Sequence, residues 1–211
     1  MTKKSILGSV VALFLLTATG AGAKPVETLT QNEFMTGESM DAGMTQAGIH
    51  FSLGEGYRSF YPAFRFGLGA LFELGVRAGV STVDTWTEDK VAGLIGADIK
   101  YQLVKSTEGV PMDMAIDLGF DTHVLSGKNV SDLTFKAIFS RSFPLTDRGY
   151  KVTPYGGLEV SALYGSYLRK NETDFYALGG VEWKFTQKSM LYAELKGGEH
   201  LVGGIGIRFE Y

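Results

Sequence analysis

Few residues in this chain could do covalent chemistry. His50 lies two positions before Ser52, and Asp121 two positions before His123. In an extended chain, side chains two apart share a face, with about 6–7 Å between their Cα atoms. A histidine beside a serine can take the hydroxyl proton and free a nucleophile. An aspartate beside a histidine can orient the imidazole for acid–base work. His200 follows Glu199 in a glycine-rich turn and has the type of a metal ligand, but no His-x-His or carboxylate cluster at ligand spacing accompanies it. The plainer reading of His50 and His123 is hydrogen bonding inside a polar interior.

A sharper constellation surrounds the second pair. Residues 112–124 read MDMAIDLGFDTHV. With a period of two, Met112, Met114, Ile116, Leu118, Phe120, Thr122 and Val124 form one face. Asp113, Ala115, Asp117, Gly119, Asp121 and His123 form the other. A helix would scatter these groups around its circumference, so the stretch is a β-strand with one apolar and one polar face. The acidic ladder fits a cation-attracting passage, or an ion-paired filling that holds a barrel's shape. The second is favoured, because a barrel of about ten strands encloses far less space than one of sixteen or more.

The elements that must position these groups follow the same alternation. Ten strands are expected at roughly 42–54, 57–68, 70–83, 90–103, 111–124, 131–143, 151–165, 174–186, 189–197 and 201–211, with eight or twelve also fitting. Turn signals separate them and no sustained 3.6-residue period appears. Pro62 and Pro154 fall inside expected strands, where bulges or strand ends are expected. The polar face carries cations that could pair the acids: Lys100, Lys136, Lys184, Lys196, Arg77 and Arg208, with Glu182 among the further carboxylates.

The bulk numbers agree with one β domain. The chain has 211 residues, 28 Gly, 14 Phe, 10 Tyr and 2 Trp. It has no Cys, which excludes disulfide staples, thiolate metal sites and a cysteine lipid anchor, and a net charge of −3 gives no basic field for nucleic acid. No apolar run reaches the ~18–20 residues of a transmembrane helix. Residues 1–23 are expected to be a cleaved signal peptide: Lys3 and Lys4, an apolar stretch over residues 6–19, then Ala21-Gly22-Ala23. Residues 24–41 are polar and without period, fitting either a mobile tail or a segment folded into a barrel mouth. Residues 42–211 form the barrel.

Alternating strands suit a soluble barrel with an apolar core or a membrane barrel with its apolar face on lipid. The polar face decides for lipid. Gly96, Ala115, Gly119, Gly157, Gly180, Gly204 and Gly206 lie on it among the charges, as a crowded lumen requires and a solvated surface does not. Strands of ~10–13 residues tilted by ~40° span about 25–33 Å, the height of an apolar membrane band. Trp86, Tyr101, Tyr150, Tyr155, Tyr164, Tyr167, Trp183 and Tyr211 near strand ends could form interfacial girdles.

The last strand carries a resemblance. Ile205, Ile207, Phe209 and Tyr211 stand at every second position up to the final residue. This resembles the C-terminal strand signal of bacterial outer-membrane β-barrel proteins, although Phe is the usual last residue. With the signal peptide and the strand pattern, the chain is similar as a class to small barrels of the OmpA, OmpX and OmpW kind. The resemblance implies a closed antiparallel up-and-down transmembrane β-barrel in the outer membrane of a Gram-negative bacterium. It implies outer-membrane lipid as surroundings, and barrel-assembly machinery that reads Phe209 and Tyr211. His50 and Ser52 also resemble the pair of lipid A deacylases, whose motif sits near the C-terminal end and not on a first strand. Asp121 and His123 resemble an omptin protease pair, without the second pair or the length of that family.

The leading expectation is a non-enzymatic barrel, structural or a narrow pore for small solutes, without a cofactor. Its lumenal charge network would comprise Asp113, Asp117, Asp121, His123, Lys100, Lys136, Glu182, Lys184 and Arg208. An adhesin or a barrel for a periplasmic partner, with residues 24–41 as a docking tail, is the first alternative; the short connections argue against it. A membrane-embedded hydrolase is the second.

Overall fold

The computed structural model describes residues 32–54, 57–69, 71–84, 89–107, 109–125, 128–145, 150–166 and 171–211. The expected signal peptide, Trp86 and Tyr167 lie outside the described residues. The strands are β1 (Thr45–Gly54), β2 (Tyr57–Gly67), β3 (Phe72–Asp84), β4 (Asp89–Val104), β5 (Asp113–Leu125), β6 (Lys128–Ser140), β7 (Phe143–Pro144), β8 (Lys151–Gly165), β9 (Glu172–Lys184), β10 (Ser189–Gly197) and β11 (Leu201–Glu210). Successive long strands pair antiparallel, β6 pairs with β8, and β11 pairs back with β1. Ten long strands thus close a ring, and β7 adds a two-residue rung beside β8. The short strand β10 coincides with its expected range.

Three expectations need correction. The sixth strand runs three residues earlier than its composition suggested. Lys128 and Asn129 read as turn residues, yet they pair with Leu125 and Val124, because backbone pairing at a barrel rim tolerates polar side chains. Neither proline makes a bulge or ends a strand. At Pro62 the ladder to β1 continues, while rungs to β3 are missing between Phe60↔Val80 and Ala63↔Arg77 with no change of register. The gap is where an N–H that proline lacks would have pointed. Pro154 keeps register with Val181, and Arg141 N–H reaches its carbonyl at 3.3 Å between β6 and β7. The register shift lies instead between Gln102 and Val104, where β4 meets β5.

The faces are inside out relative to a water-soluble barrel. Val91 is 70% exposed and Phe175 69%, whereas Asp117 and Lys136 are 1% and 2% exposed. Such an exterior is stabilised by hydrocarbon and not by water, and a closed ring leaves no unpaired edge in it. Tyr155 departs from the girdle expectation. It points inward and its hydroxyl donates to Glu194 Oε2 at 3.0 Å.

Inside, large and small residues alternate across the strands. One row of partners runs Tyr155, Gly180, Glu194, Gly204 and Ser52. A second row runs Glu73, Lys100, Asp117, Lys136 and Glu159 on β3, β4, β5, β6 and β8, with charge alternating at every step. At one end lie the start of β1 and the end of β11, with the longer connections 105–112 and 141–150; this is called here the terminal end. At the far end, Tyr57, Ala92, Leu125, Val130 and Leu163 form a small apolar cluster.

Candidate functional site

The segment before β1 folds into the lumen. Its route is set by a turn in which Met44 N–H reaches the Asp41 carbonyl at 3.2 Å and Gly43 takes φ 82°, a left-handed conformation that glycine adopts without penalty. From there the chain passes inward along β3, β4 and β6. Met40 N–H donates to Glu73 Oε1 at 2.7 Å, Ser39 N–H to Gln102 Oε1 at 3.0 Å, and Gly37 N–H to Ser140 Oγ at 2.9 Å. Lys100 Nζ donates to the Glu38 and Thr36 carbonyls at 2.7 and 3.1 Å. Of the two expectations for this segment, residues 32–41 take the folded one.

Glu33 is the centre of the arrangement. Arg77 Nη2 donates to its Oε1 at 2.5 Å, Lys136 pairs with its Oε2, and Arg208 Nη2 donates to its carbonyl at 2.6 Å. These cations come from β3, β6 and β11, so one residue ties three parts of the wall together. Burial alone would push the Glu33 carboxyl up, but Arg77, Lys136 and Lys196 together pull it well below the ordinary carboxylate range. Beside it, Asn32 donates to the Glu194 carbonyl at 3.2 Å and accepts from the Tyr61 hydroxyl through its own carbonyl.

The wall leaves room for this segment by omitting side chains. A Cβ on Gly119 would stand 2.6 Å from Glu33 Oε1, and one on Gly204 would stand 2.5 Å from the Phe34 ring. Phe34 has φ 52°, an uncommon conformation for a bulky residue that persists only where its surroundings impose it. Here its ring stacks on His50 with centroids 4.9 Å apart, and Tyr61 covers the other side of His50 at 5.3 Å.

The structure divides the expected network between several places. Asp121 accepts from Arg77 Nε and Nη2, both at 2.7 Å, and Arg77 Nη1 also donates to Asp98 at 2.6 Å. Lys136 joins Glu33 to Glu159, which also takes Lys196 at 2.7 Å. Lys100 pairs with Glu73 at 2.8 Å. Asp117 lies between Lys100 and Lys136 in register, yet both lysines turn elsewhere and neither of its oxygens has a hydrogen-bond partner. Asp113 lies toward the terminal end and accepts from Gln102 at 3.0 Å and Ser106 N–H at 2.8 Å. Glu182 accepts from the Tyr192 hydroxyl at 2.7 Å. Lys184 meets Glu210 at 3.3 Å, near the rim. Phe209 and Tyr211 stand on the outer face, and Tyr211 closes against Thr45 through a backbone hydrogen bond of 2.9 Å.

Neither histidine pair assembles as a catalytic couple. His50 Nε2 accepts from Arg208 Nε at 3.3 Å, while Ser52 Oγ has no hydrogen-bond partner. Asp121 is taken up by Arg77, and His123 Nδ1 meets Ser81 Oγ at 2.9 Å instead. Ser81 and His123 are buried, 1% and 0% exposed. Among the described residues no three His, Cys, Asp or Glu side chains gather in a way that could hold a metal ion. A cavity between Glu33, His50, Arg65, Arg77, Asp98 and Arg208 has about 10 Å³, room for about one water molecule.

The residues missed by the sequence reading are chiefly Glu33, Arg65, Glu73, Glu159 and Glu194. All but Glu33 have the inward parity of their strands, so parity could have found them. Glu33 lies in a segment without period. Its only signal is Phe34-Met35, an apolar pair set in a polar stretch.

No family model matches the chain, and no curated protein does. Solved structures with a similar course are barrels. The N-terminal β-barrel domain of Pseudomonas aeruginosa OprF is 12% identical with a TM-score of 0.39, over 82% of this chain and 100% of that one. The KdgM porin is 11% identical with a TM-score of 0.39, over 78% and 98%. The translocator domain of the autotransporter NalP from Neisseria meningitidis is 12% identical with a TM-score of 0.44, over 79% and 86%.

Proposed function

We propose that this protein is a non-enzymatic outer-membrane barrel whose lumen is closed to solutes while residues 32–41 are docked. The observation that carries the reading is Glu33, buried at mid-lumen and bound by cations from both sides of the barrel. The outward apolar belt supports a lipid environment, and Phe209 and Tyr211 are proposed to serve as the assembly signal. Two measurements test it. The protein is expected in the outer-membrane fraction, with heat-modifiable migration on a gel. Wild-type protein in planar bilayers is expected to show no steady unit conductance. A water-soluble fraction overturns the membrane reading, and a persistently open channel overturns the closed one.

A partner-binding barrel is the second reading. It is favoured by the described residues of the connections after β4 and β6, which lie at the terminal end, where Ser106 N–H binds Asp113 and Ser142 Oγ reaches Glu38 of the docked segment. Shortening 141–150 would then abolish capture of a periplasmic protein without altering gel mobility.

A further inference from the structure

We propose that the docked segment is a releasable plug, latched by Glu33, and that its release opens a passage for small inorganic cations. This rests on the closed-lumen reading above and adds what the lumen would carry and what controls it.

The latch follows from how the segment is held. It has no place in the barrel's ladder and is fixed by side-chain contacts. Three wall cations converge on Glu33, and two of them have other partners to fall back on. Arg77 already binds Asp121 and Asp98, and Lys136 already binds Glu159. Withdrawal of Glu33 therefore leaves those two paired and the wall standing. The left-handed Phe34 next to it stores strain that undocking relieves.

The cation preference follows from the wall. Apart from Glu33, the buried wall carries ten carboxyl side chains among the described residues, against the six cations Arg65, Arg77, Lys100, Lys136, Lys196 and Arg208. Asp117 is an independent sign. It is 1% exposed, and neither oxygen has a hydrogen-bond partner. Once water replaces the segment, this acidic excess concentrates cations and repels anions. The opening has the cross-section of what leaves it, a chain of about 5 by 10 Å, which admits a monovalent ion that exchanges part of its water shell for wall oxygens.

The test uses full-length chains carrying Thr36→Cys, in which the introduced thiol has no competitor because the natural sequence has no cysteine. Thr36 is 8% exposed in the docked segment. Labelling with a membrane-impermeant maleimide reads undocking, and bilayer currents across a KCl gradient read conduction. Wild-type currents are read first, since a current there overturns the closed-lumen reading and not the selectivity. Glu33→Gln, which keeps the shape, and Glu33→Lys, which repels Arg77 and Lys136, are then compared. Labelling is expected to accelerate at least about tenfold, with currents that favour K⁺ over Cl⁻ by about tenfold. Asp117→Asn in the Glu33→Lys chain is expected to lower that preference. Undocked chains without current, or with Cl⁻-selective current, overturn the passage. Slow labelling in both Glu33 variants overturns the latch.

Discussion

The lumen is filled in two different ways. At mid-height, Glu33, Arg77, Lys136 and Arg208 fill it with charges. At the far end, Tyr57, Ala92, Leu125, Val130 and Leu163 line one side with apolar packing. The first arrangement is directional, depends on every partner being present, and depends on protonation. The second is non-directional and indifferent to pH. A barrel that needed only rigidity could use packing throughout. Charges at mid-lumen instead make one layer of the molecule conditional.

The comparison can be broken at its strongest point. Glu33→Gln leaves Arg77 and Lys136 facing a neutral amide. Asp121, Asp98 and Glu159 keep those cations paired, so the loss of charge-assisted bonds costs about 1.5–3 kcal/mol, and a fall of that size in the docking equilibrium is expected from Thr36→Cys labelling as a function of urea. Leu125→Ala in the apolar cluster is expected to cost about 2–4 kcal/mol of barrel stability while leaving Thr36→Cys labelling unchanged. If the two variants move both readings equally, the layers are not independent.

Acid sharpens the contrast. The Glu33 carboxyl is held below its unfolded value, so its contribution is fully present above about pH 4.3 and is lost as pH falls through the lower folded value. Labelling of Thr36→Cys is therefore expected to stay slow down to the ordinary carboxylate range and to rise only beneath it. In the Glu33→Gln chain that step should be missing. The smallest effect is expected at the rim. Glu38 and Lys151 meet at 2.6 Å but are partly exposed. Burial raises the Glu38 carboxyl, but Lys151 and the neighbouring lysines outweigh it and lower it. Lys151→Met should shift docking by no more than about 1 kcal/mol, with the shift shrinking in high salt.

Much of the wall was legible from parity alone. Asp98 and Lys100 on β4, Asp117 and Asp121 on β5, and Glu182 and Lys184 on β9 occupy every second position, and a strand can bury only one of its two faces in a lumen. Partners were less legible. Asp121 and His123 share a face, yet they separate, to Arg77 and Ser81 on β3, two strands away; Arg77 meets Asp121 over Gly96 of the intervening β4, where a Cβ would clash with both. Tyr155 looked like a girdle residue by its place near a strand start, but its parity turns it inward to Glu194.

By itself, the sequence determined that the chain forms about ten strands with an apolar face turned outward and an acidic, glycine-rich face turned inward. Period-two alternation is local and survives translation into structure strand by strand. Only the tertiary structure decided that residues 32–41 enter the lumen, that Glu33 is its keystone, and that Asp117 has no hydrogen-bond partner. Those facts depend on register across the closed ring, which brings Arg77, Lys136 and Arg208 to one point from positions distant in the chain. No local pattern encodes that meeting.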